Sequence, residues 1–518
     1  MTVRPIDLDA LTLAAVRAGA FDGRPVTVLG LARSGVALAR FLVDAGARVT
    51  VYDGRPAAAL ERSIVQLGDR AVTLRLGPDV DPATAWAGAA LVTTSPSITP
   101  DFPTTEPRLR AQLGALVAAR AAGDPDAPAF VSESDLFLRL CPAPTIGVTG
   151  TKGKTTTSSL IHAILGADPV HPALLGGNIG TPLVERLPEL TPGHRVVVEL
   201  SELQLPALSR GTTVAVYTNV TSDHLDRHGS VDAYRRVKRR LAELVDPDGA
   251  LVLNIEDPVV GGYAGLGTAP VVLYRNDRPL PGGLGVVDGW VVSAAVERLP
   301  LAGGGPAAAG PGGGIMPVDE LAIPGRHNVS NALAAIAVGL LFGVAPDAIR
   351  RAAASFTGVE HRLQPVGLVD GVRFVNDSQG TQPDAVIAAL RAFPAPVVLI
   401  AGGRDKGVDL SELVRVAADT ADAAVLIGES GPSLMRRLSE AGLRRTVGAE
   451  SMDEAVRFAA RYAREALASR PEGTVATVLL SPAAASFDMF EDYAARGRAF
   501  IAAVARLAGR DPATGGPA

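Results

Sequence analysis

The sequence predicts an α/β protein of three domains: a Rossmann-like N-terminal domain, a central domain on a mostly parallel sheet, and a Rossmann-like C-terminal domain. Two patterns and the chain length lead there. An apolar strand at 26–30 (Val-Thr-Val-Leu-Gly) is followed by a helical pattern through Val36, Leu38, Phe41 and Leu42 and a second strand at 48–52. Strand, helix and strand within about 30 residues make a βαβ unit and imply a parallel sheet. Another apolar strand, 145–149, runs into a glycine-rich loop, and the full length of 518 residues exceeds one ordinary domain. The expected domains are 1–128, 129–357 and 358–518, with the Pro/Gly/Asp-rich stretch 121–128 as a linker.

Further strands are expected at 195–199, 213–217 and 250–254 in the central segment, and at 397–401, 423–427 and 477–480 in the last. Residues 302–314 (AGGGPAAAGPGGG) hold nothing that packs a core and read as a flexible surface loop. With 47% hydrophobic and 20% charged residues the chain buries several cores, which excludes global disorder. A net charge of −5 argues against a nucleic-acid partner, which usually meets a basic face. Cys141 is the sole cysteine, so no internal disulfide forms, which suits a reducing compartment. No run of 18 apolar residues occurs, and early acids spoil any secretory signal at the N-terminus. The expectation is a soluble cytoplasmic protein, a monomer, with no nucleic-acid partner and no membrane insertion.

Lysine usage sharpens the search. Of 49 basic residues only Lys152, Lys154, Lys238 and Lys406 are lysines; arginine fills every other position. Arginine presents a planar fork that is never deprotonated, so it cannot serve where a compact ammonium or a nucleophilic amine is required. The four lysines therefore mark places where chemistry is expected.

Two of them sit in Gly147-Val-Thr-Gly-Thr-Lys-Gly-Lys-Thr-Thr-Thr157, at the end of the 145–149 strand. Backbone N–H groups of such a loop cradle phosphates, its lysine neutralises the β/γ oxygens, and the next hydroxyl ligates Mg²⁺. The central domain is thus expected to be a P-loop-type ATPase domain. Gly150, Thr151, Lys152, Gly153, Lys154, Thr155 and Thr156 are the ATP-binding residues, with Lys154 catalytic and Thr155 on the metal. The first glycine of the usual G-x-x-x-x-G-K-[ST] pattern would fall on Val148; the loop follows T-G-T-x-G-K-[ST]-[ST] instead. Glu199 ends the next buried strand, where α/β proteins place ligand groups, and His224 lies between Asp223 and Asp226; both are candidate metal ligands. Lys238 falls beside the apolar stripe Tyr234, Val237, Leu241 and Leu244 of a predicted helix, among four arginines.

The loop variant is followed in order by Gly176-Gly-Asn-Ile-Gly180, Glu199-Leu-Ser-Glu-Leu-Gln204, Asn219-Val-Thr-Ser-Asp-His-Leu-Asp226, Tyr234-Arg-Arg-Val-Lys238, Gly325-Arg-His-Asn-Val-Ser-Asn-Ala332, His361-Arg362 and Asn376-Asp-Ser378. Together they resemble the three-domain Mur ligases over roughly residues 24 to 505. The resemblance implies ATP and two Mg²⁺ sites, with Lys238 N6-carboxylated by CO₂ and catalytic together with Glu199 and His224. It also implies Asn331, Arg362 and Asp377 at the nucleotide.

The first domain resembles that of the glutamate-adding members. Gly30-Leu-Ala-Arg-Ser-Gly35 looks like a dinucleotide fingerprint, but Ala32 replaces the glycine that lets a pyrophosphate approach the backbone. In those members this loop takes the UDP end of the substrate, which points to Gly30, Arg33, Ser34, Asp53, Arg55 and Ser95, with Asn178 from the central domain. The glutamate site implied is Thr381, Lys406, Ser486 and Tyr493. Departures are Ser97 in Ser-Pro-Ser, Gln379 and Gly380 where N-D-S-K-A-T is commoner, and Tyr493 for phenylalanine. The expected reaction adds D-glutamate to UDP-N-acetylmuramoyl-L-alanine through an acyl phosphate. An L-glutamate-adding ligase and a folylpolyglutamate-synthase-like ligase are the alternatives; the latter lacks a UDP-type first domain.

Overall fold

The computed structural model describes residues 3–221, 228–323, 325–405 and 408–509. The chain divides into two compact units, Met1–Phe356 and Thr357–Ala518. The first carries two sheets and the second one, each interleaved with helices as expected for an α/β chain.

In the first sheet, β1 (Pro25–Leu29), β2 (Arg48–Asp53), β3 (Val72–Leu76), β4 (Leu91–Thr94) and β5 (Ala129–Ser132) run parallel in the order β3-β2-β1-β4-β5. The helix Arg33–Asp44 follows β1 and buries Val36, Leu38, Phe41 and Leu42, the predicted stripe, against the sheet. Truncating one such fully buried leucine typically costs about 2–5 kcal/mol. Residues 121–128 join the helix Pro107–Ala121 to β5, the edge strand of this sheet beside β4. The order reverses between β1 and β4, and ligands of open α/β sheets settle at the carboxyl ends of strands flanking such a switch.

The second sheet has the order β14-β13-β12-β11-β10-β9-β6-β8-β7. Its strands are β6 (Thr145–Thr149), β7 (Ala173–Gly177), β8 (Arg195–Glu199), β9 (Val214–Tyr217), β10 (Ala250–Asn254), β11 (Val271–Tyr274), β12 (Leu284–Val287), β13 (Trp290–Ser293) and β14 (Gly314–Pro317). From β7 to β12 all neighbours are parallel, and β6, β8, β9 and β10 are buried throughout, as strands covered on both faces require. The switch lies between β6 and β9. Beyond β12 the sheet turns antiparallel through β13 and β14, an extension the sequence reading did not anticipate. Residues 302–314 lie largely exposed within it, where Gly303, Gly304 and Gly305 all take positive φ and Ala307 donates its N–H to Val296 O.

The second unit is a six-stranded sheet in the order β15-β16-β20-β17-β18-β19. Its strands are β15 (Gln364–Val369), β16 (Val372–Asn376), β17 (Val397–Gly402), β18 (Ala423–Ile427), β19 (Thr446–Ala449) and β20 (Ala476–Leu480). Only β15 is antiparallel. Because β20 inserts between β16 and β17, the loops leaving these three strands emerge side by side.

Candidate active site

The phosphate loop leaves β6 at the switch of the second sheet. Gly150 (φ +151°) and Gly153 (φ +85°) give it its shape. A Cβ on Gly150 would stand 2.0 Å from Thr218 Oγ1, and one on Gly153 would stand 2.6 Å from Asn331 Oδ1. These contacts allow only glycine at either place. The loop is pinned from β9: the N–H groups of Thr151 and Lys152 donate to Asn219 O and Oδ1 (2.7 and 2.9 Å), and Thr218 Oγ1 donates to Lys152 O (2.6 Å). Gly153 caps the helix Lys154–Leu165, whose first-turn N–H groups and dipole favour an anion. Lys154 Nζ bridges the carbonyls of Gly150 and Thr151 at 3.0 and 2.9 Å, placing an ammonium over the loop. Thr155 is buried, Thr156 half-buried, and Lys152 extends into solvent. Asn331 comes from the helix Arg326–Leu341, which packs on the loop's helix and accepts from Thr157 Oγ1 at 3.2 Å through Asn331 Oδ1.

Glu199, at the end of β8, is 1% exposed. One carboxylate oxygen accepts from Asn178 Nδ2 at 2.9 Å; the other is buried and has no hydrogen-bond partner. An ionised carboxylate oxygen buried without a partner is costly unless a cation occupies its vicinity, so this atom fits a Mg²⁺ ligand. Among the described residues no group of three His, Cys, Asp or Glu side chains is placed to hold a metal ion. Glu199 together with hydroxyl, phosphate and water oxygens is a donor set that suits Mg²⁺. Asn178, expected at the UDP substrate, is bonded to this carboxylate. His224 lies outside the described residues.

Lys238 is wholly buried, on the helix Val231–Leu244, whose buried face is Tyr234, Lys238, Leu241 and Ala242. Val237 and Leu244, expected in the apolar stripe, are half-buried at its edges. The helix sits close because Gly147 in β6 has no side chain: a Cβ there would stand 2.9 Å from Thr212 and 3.1 Å from Leu241. Tyr234 OH pairs with Thr151 Oγ1 at 2.9 Å, tying this helix to the phosphate loop.

At the switch of the first sheet, Gly30 (φ +88°) and Ser95 face each other across the ends of β1 and β4. A Cβ on Gly30 would stand 3.2 Å from Ser95 Oγ, which is buried without a hydrogen-bond partner. Gly35 packs its Cα against Gly30 O, where a Cβ would stand 1.8 Å away. Arg33 is exposed and Ser34 half-buried at the start of the helix. Asp53 accepts from Leu31 N–H (2.8 Å), and Arg55 folds back onto both its oxygens. Burial pushes the Asp53 carboxyl up, but the Arg55 guanidinium and the N–H groups of Leu31 and Arg55 outweigh it and hold the carboxyl below its usual range. Sequence reading missed Glu133, buried at the end of β5 and pushed up to about 6 by burial against the opposing pull of Ser134 and the Arg33 charge.

In the second unit Asp377 follows β16, and burial pushes its carboxyl up to about 6, opposed by hydrogen bonds from Ser481 Oγ (2.6 Å) and Leu363 N–H (3.1 Å) and by the exposed Arg362. Thr381 is half-buried after the same strand, and Ser486 is buried after β20. Tyr493 opens the last helix, Tyr493–Leu507, and its carbonyl accepts from Ser378 Oγ at 2.7 Å. Lys406 lies outside the described residues. The structure thus gathers Gly150–Thr156, Asn331, Glu199, Asn178 and Lys238 around the central switch, and Asp377, Thr381 and Ser486 at the strand ends of the second unit.

These features define a phosphate-loop α/β protein with a second nucleotide-type fold. Residues 148–279 match the Mur ligase middle domain, and residues 361–484 match the Mur ligase glutamate ligase domain. A UDP-N-acetylmuramoylalanine–D-glutamate ligase of Symbiobacterium thermophilum is 39% identical over 485 residues, covering 93% of this chain and 97% of that protein. Relatives of the same name from Pelotomaculum thermopropionicum and Acidobacterium capsulatum are 35% and 36% identical, over 93% and 92% of this chain and 97% and 95% of theirs. The chain belongs to the Mur ligase family. Within it, these relatives across nearly the whole length are D-glutamate ligases. Among solved structures, a MurF from Acinetobacter baumannii aligns with TM-score 0.49 and 16% identity, covering 93% of this chain and 97% of that one.

Proposed function

We propose that the chain is an ATP-dependent, ADP-forming ligase that joins D-glutamate to UDP-N-acetylmuramoyl-L-alanine, a step of peptidoglycan precursor synthesis, acting as a monomer in the cytoplasm. The observation that carries this reading is the glycine-shaped phosphate loop beside the buried, half-unpartnered Glu199 carboxylate, in a chain 39% identical to a ligase of that name over 93% of its length. No helix among the described residues is long and apolar enough to cross a membrane.

The γ-phosphoryl of ATP passes to the substrate carboxylate, and glutamate's amine attacks the acyl phosphate and releases phosphate. Lys154 and the first-turn N–H groups of the helix Lys154–Leu165 stabilise charge on the moving phosphoryl. Asn178 fixes one Glu199 oxygen, and the other would be the one to hold a cation. Mg²⁺ bound by Thr155 and Glu199 would supply charge neutralisation, with Lys238 (as its carboxylated form) and His224 holding a second ion. Asn331, Arg362 and Asp377 hold the nucleotide. Gly30, Arg33, Ser34, Asp53, Arg55 and Ser95, with Asn178, hold the UDP substrate. Lys406 and Thr381 take the α-carboxylate of glutamate, Ser486 and the backbone near Tyr493 the γ-carboxylate.

Phosphate release with ATP, Mg²⁺, UDP-N-acetylmuramoyl-L-alanine and each glutamate enantiomer tests the reading. A higher kcat/KM for D-glutamate is expected; a preference for L-glutamate would refute the stereochemistry and leave the ligase standing. Lys406→Ala is expected to raise the glutamate KM strongly with little change in those for ATP and the UDP substrate.

A further inference from the structure

Among the described residues the largest wholly buried side chain is a cation. Arg496, in the helix Tyr493–Leu507, is 0% exposed, and among the described residues no carboxylate lies within ion-pair distance of it. Its guanidinium donates instead to uncharged oxygens: Nε to Ser378 Oγ (3.0 Å), Nη2 to Ser378 O (3.0 Å) and Nη1 to Ala484 O (3.2 Å). Gly403 completes the enclosure, since a Cβ there would stand 3.2 Å from Nη1. Ser378 belongs to the loop after β16, Gly403 to the loop after β17 and Ala484 to the loop after β20. One guanidinium thus meets all three loops that the insertion of β20 sets side by side. Ser378 Oγ passes the link on by donating to Tyr493 O. The loops are stitched further by Ala483 N–H to Gly380 O and Arg404 N–H to Ala485 O.

Leaving a cation unpaired in the interior is expensive, and apolar residues of similar volume usually serve stability as well or better. An arginine kept here without a counterion therefore calls for a role beyond packing. Burial pushes it down to about 10, opposed by the Asp488 charge, so it stays cationic at neutral pH. A planar fork with several fixed donors can hold two loops at once while it packs on a third, which a lysine cannot do.

We propose that Arg496 is a positioning residue of the amino-acid pocket: it holds the loops that present Thr381 and Ser486 in register and sets a fixed positive charge beneath them that favours a dicarboxylate. This rests on the reading of the second unit as the glutamate-binding one. The loops provide the direct contacts, and Arg496 acts through them.

The test uses the full chain and compares the KM values for D-glutamate, ATP and UDP-N-acetylmuramoyl-L-alanine in Arg496→Lys and Arg496→Met, each with its Tm. Arg496→Lys is expected to raise the glutamate KM about tenfold or more, the size of lost charge-assisted hydrogen bonds. The other two KM values should stay within about twofold, inside the scatter expected of surface-like changes. Arg496→Met, without the charge, should raise the glutamate KM further. A folded Arg496→Lys with an unchanged glutamate KM, or with all three KM values rising together, overturns the proposal. Should both variants fail to fold, Ser378→Ala keeps the charge and removes one acceptor; a glutamate-selective rise in KM supports the proposal and its absence overturns it. If the unaltered chain releases no phosphate in response to glutamate, the reading of the unit fails; if it does and Arg496→Lys behaves like it, only this inference fails.

Discussion

Lys238 Nζ donates to Thr149 Oγ1 at 3.2 Å, joining a helix to the last residue of β6 across 89 positions of sequence. Thr149 Oγ1 in turn donates to Leu200 O at 2.8 Å, next to Glu199. Lysine, phosphate loop and acidic strand end are thus connected through one hydroxyl. Lys238 Nζ also stands 5.6 Å from the centroid of the Tyr234 ring, which itself holds Thr151.

Arginine at position 238 keeps the charge but is bulkier and cannot take up CO₂. Lys238→Arg is expected to lower kcat by about 10²-fold or more, because the carboxylate that Lys238 is proposed to carry for the second ion cannot form. The check is kcat alongside Tm, with and without added bicarbonate. A folded variant with parental kcat would return Lys238 to a purely structural role.

Gly150→Ala places a methyl 2.0 Å from Thr218 Oγ1 and 3.0 Å from Asn219 O, at a φ of +151°. The strained backbone and displaced Thr218 hydroxyl should cost about 1–3 kcal/mol and raise the ATP KM. Denaturant unfolding and ATP titration measure the two effects; a variant normal in both would mean the loop does not depend on that close approach.

Glu199→Gln keeps an acceptor for Asn178 and removes the buried charge. Activity should fall by about 10²–10³-fold, and the Mg²⁺ concentration for half-maximal activity should rise. Without Mg²⁺ the folded chain should be no less stable, because an uncompensated buried charge has gone. An unmoved Mg²⁺ midpoint would remove Glu199 from the metal site.

Asp377 carries the clearest pH signature. Its folded carboxyl lies near 6 against an ordinary 3.8, so the folded chain binds this proton more tightly than the unfolded chain. Its contribution to stability is fully present below about pH 4 and lost as pH rises through about 6, an effect of about 2–3 kcal/mol. Asp377→Asn does not titrate, so its stability relative to the parent should increase between pH 4 and 7. Chemical denaturation at several pH values checks it; a pH-independent difference would place the carboxyl at its ordinary range.

Sequence by itself determined what is local. The phosphate loop was legible because its glycines, lysine and hydroxyls are consecutive and follow an apolar strand; the helix Arg33–Asp44 was legible from its period. The four lysines pointed to the phosphate loop and to Lys238, since arginine fills every other cationic position of the sequence. Tertiary structure decided what depends on strand order. Insertion of β20 between β16 and β17 gathers three loops on Arg496, a residue no motif singled out, because its partners are carbonyls and a hydroxyl that carry no sequence signature. Likewise the absent side chain of Gly147 lets the helix of Lys238 approach β6, which turns an expected flank of an apolar stripe into a fully buried amine. The antiparallel extension β12–β14 stayed hidden because short strands separated by glycine-rich turns offer too few residues for a period to register.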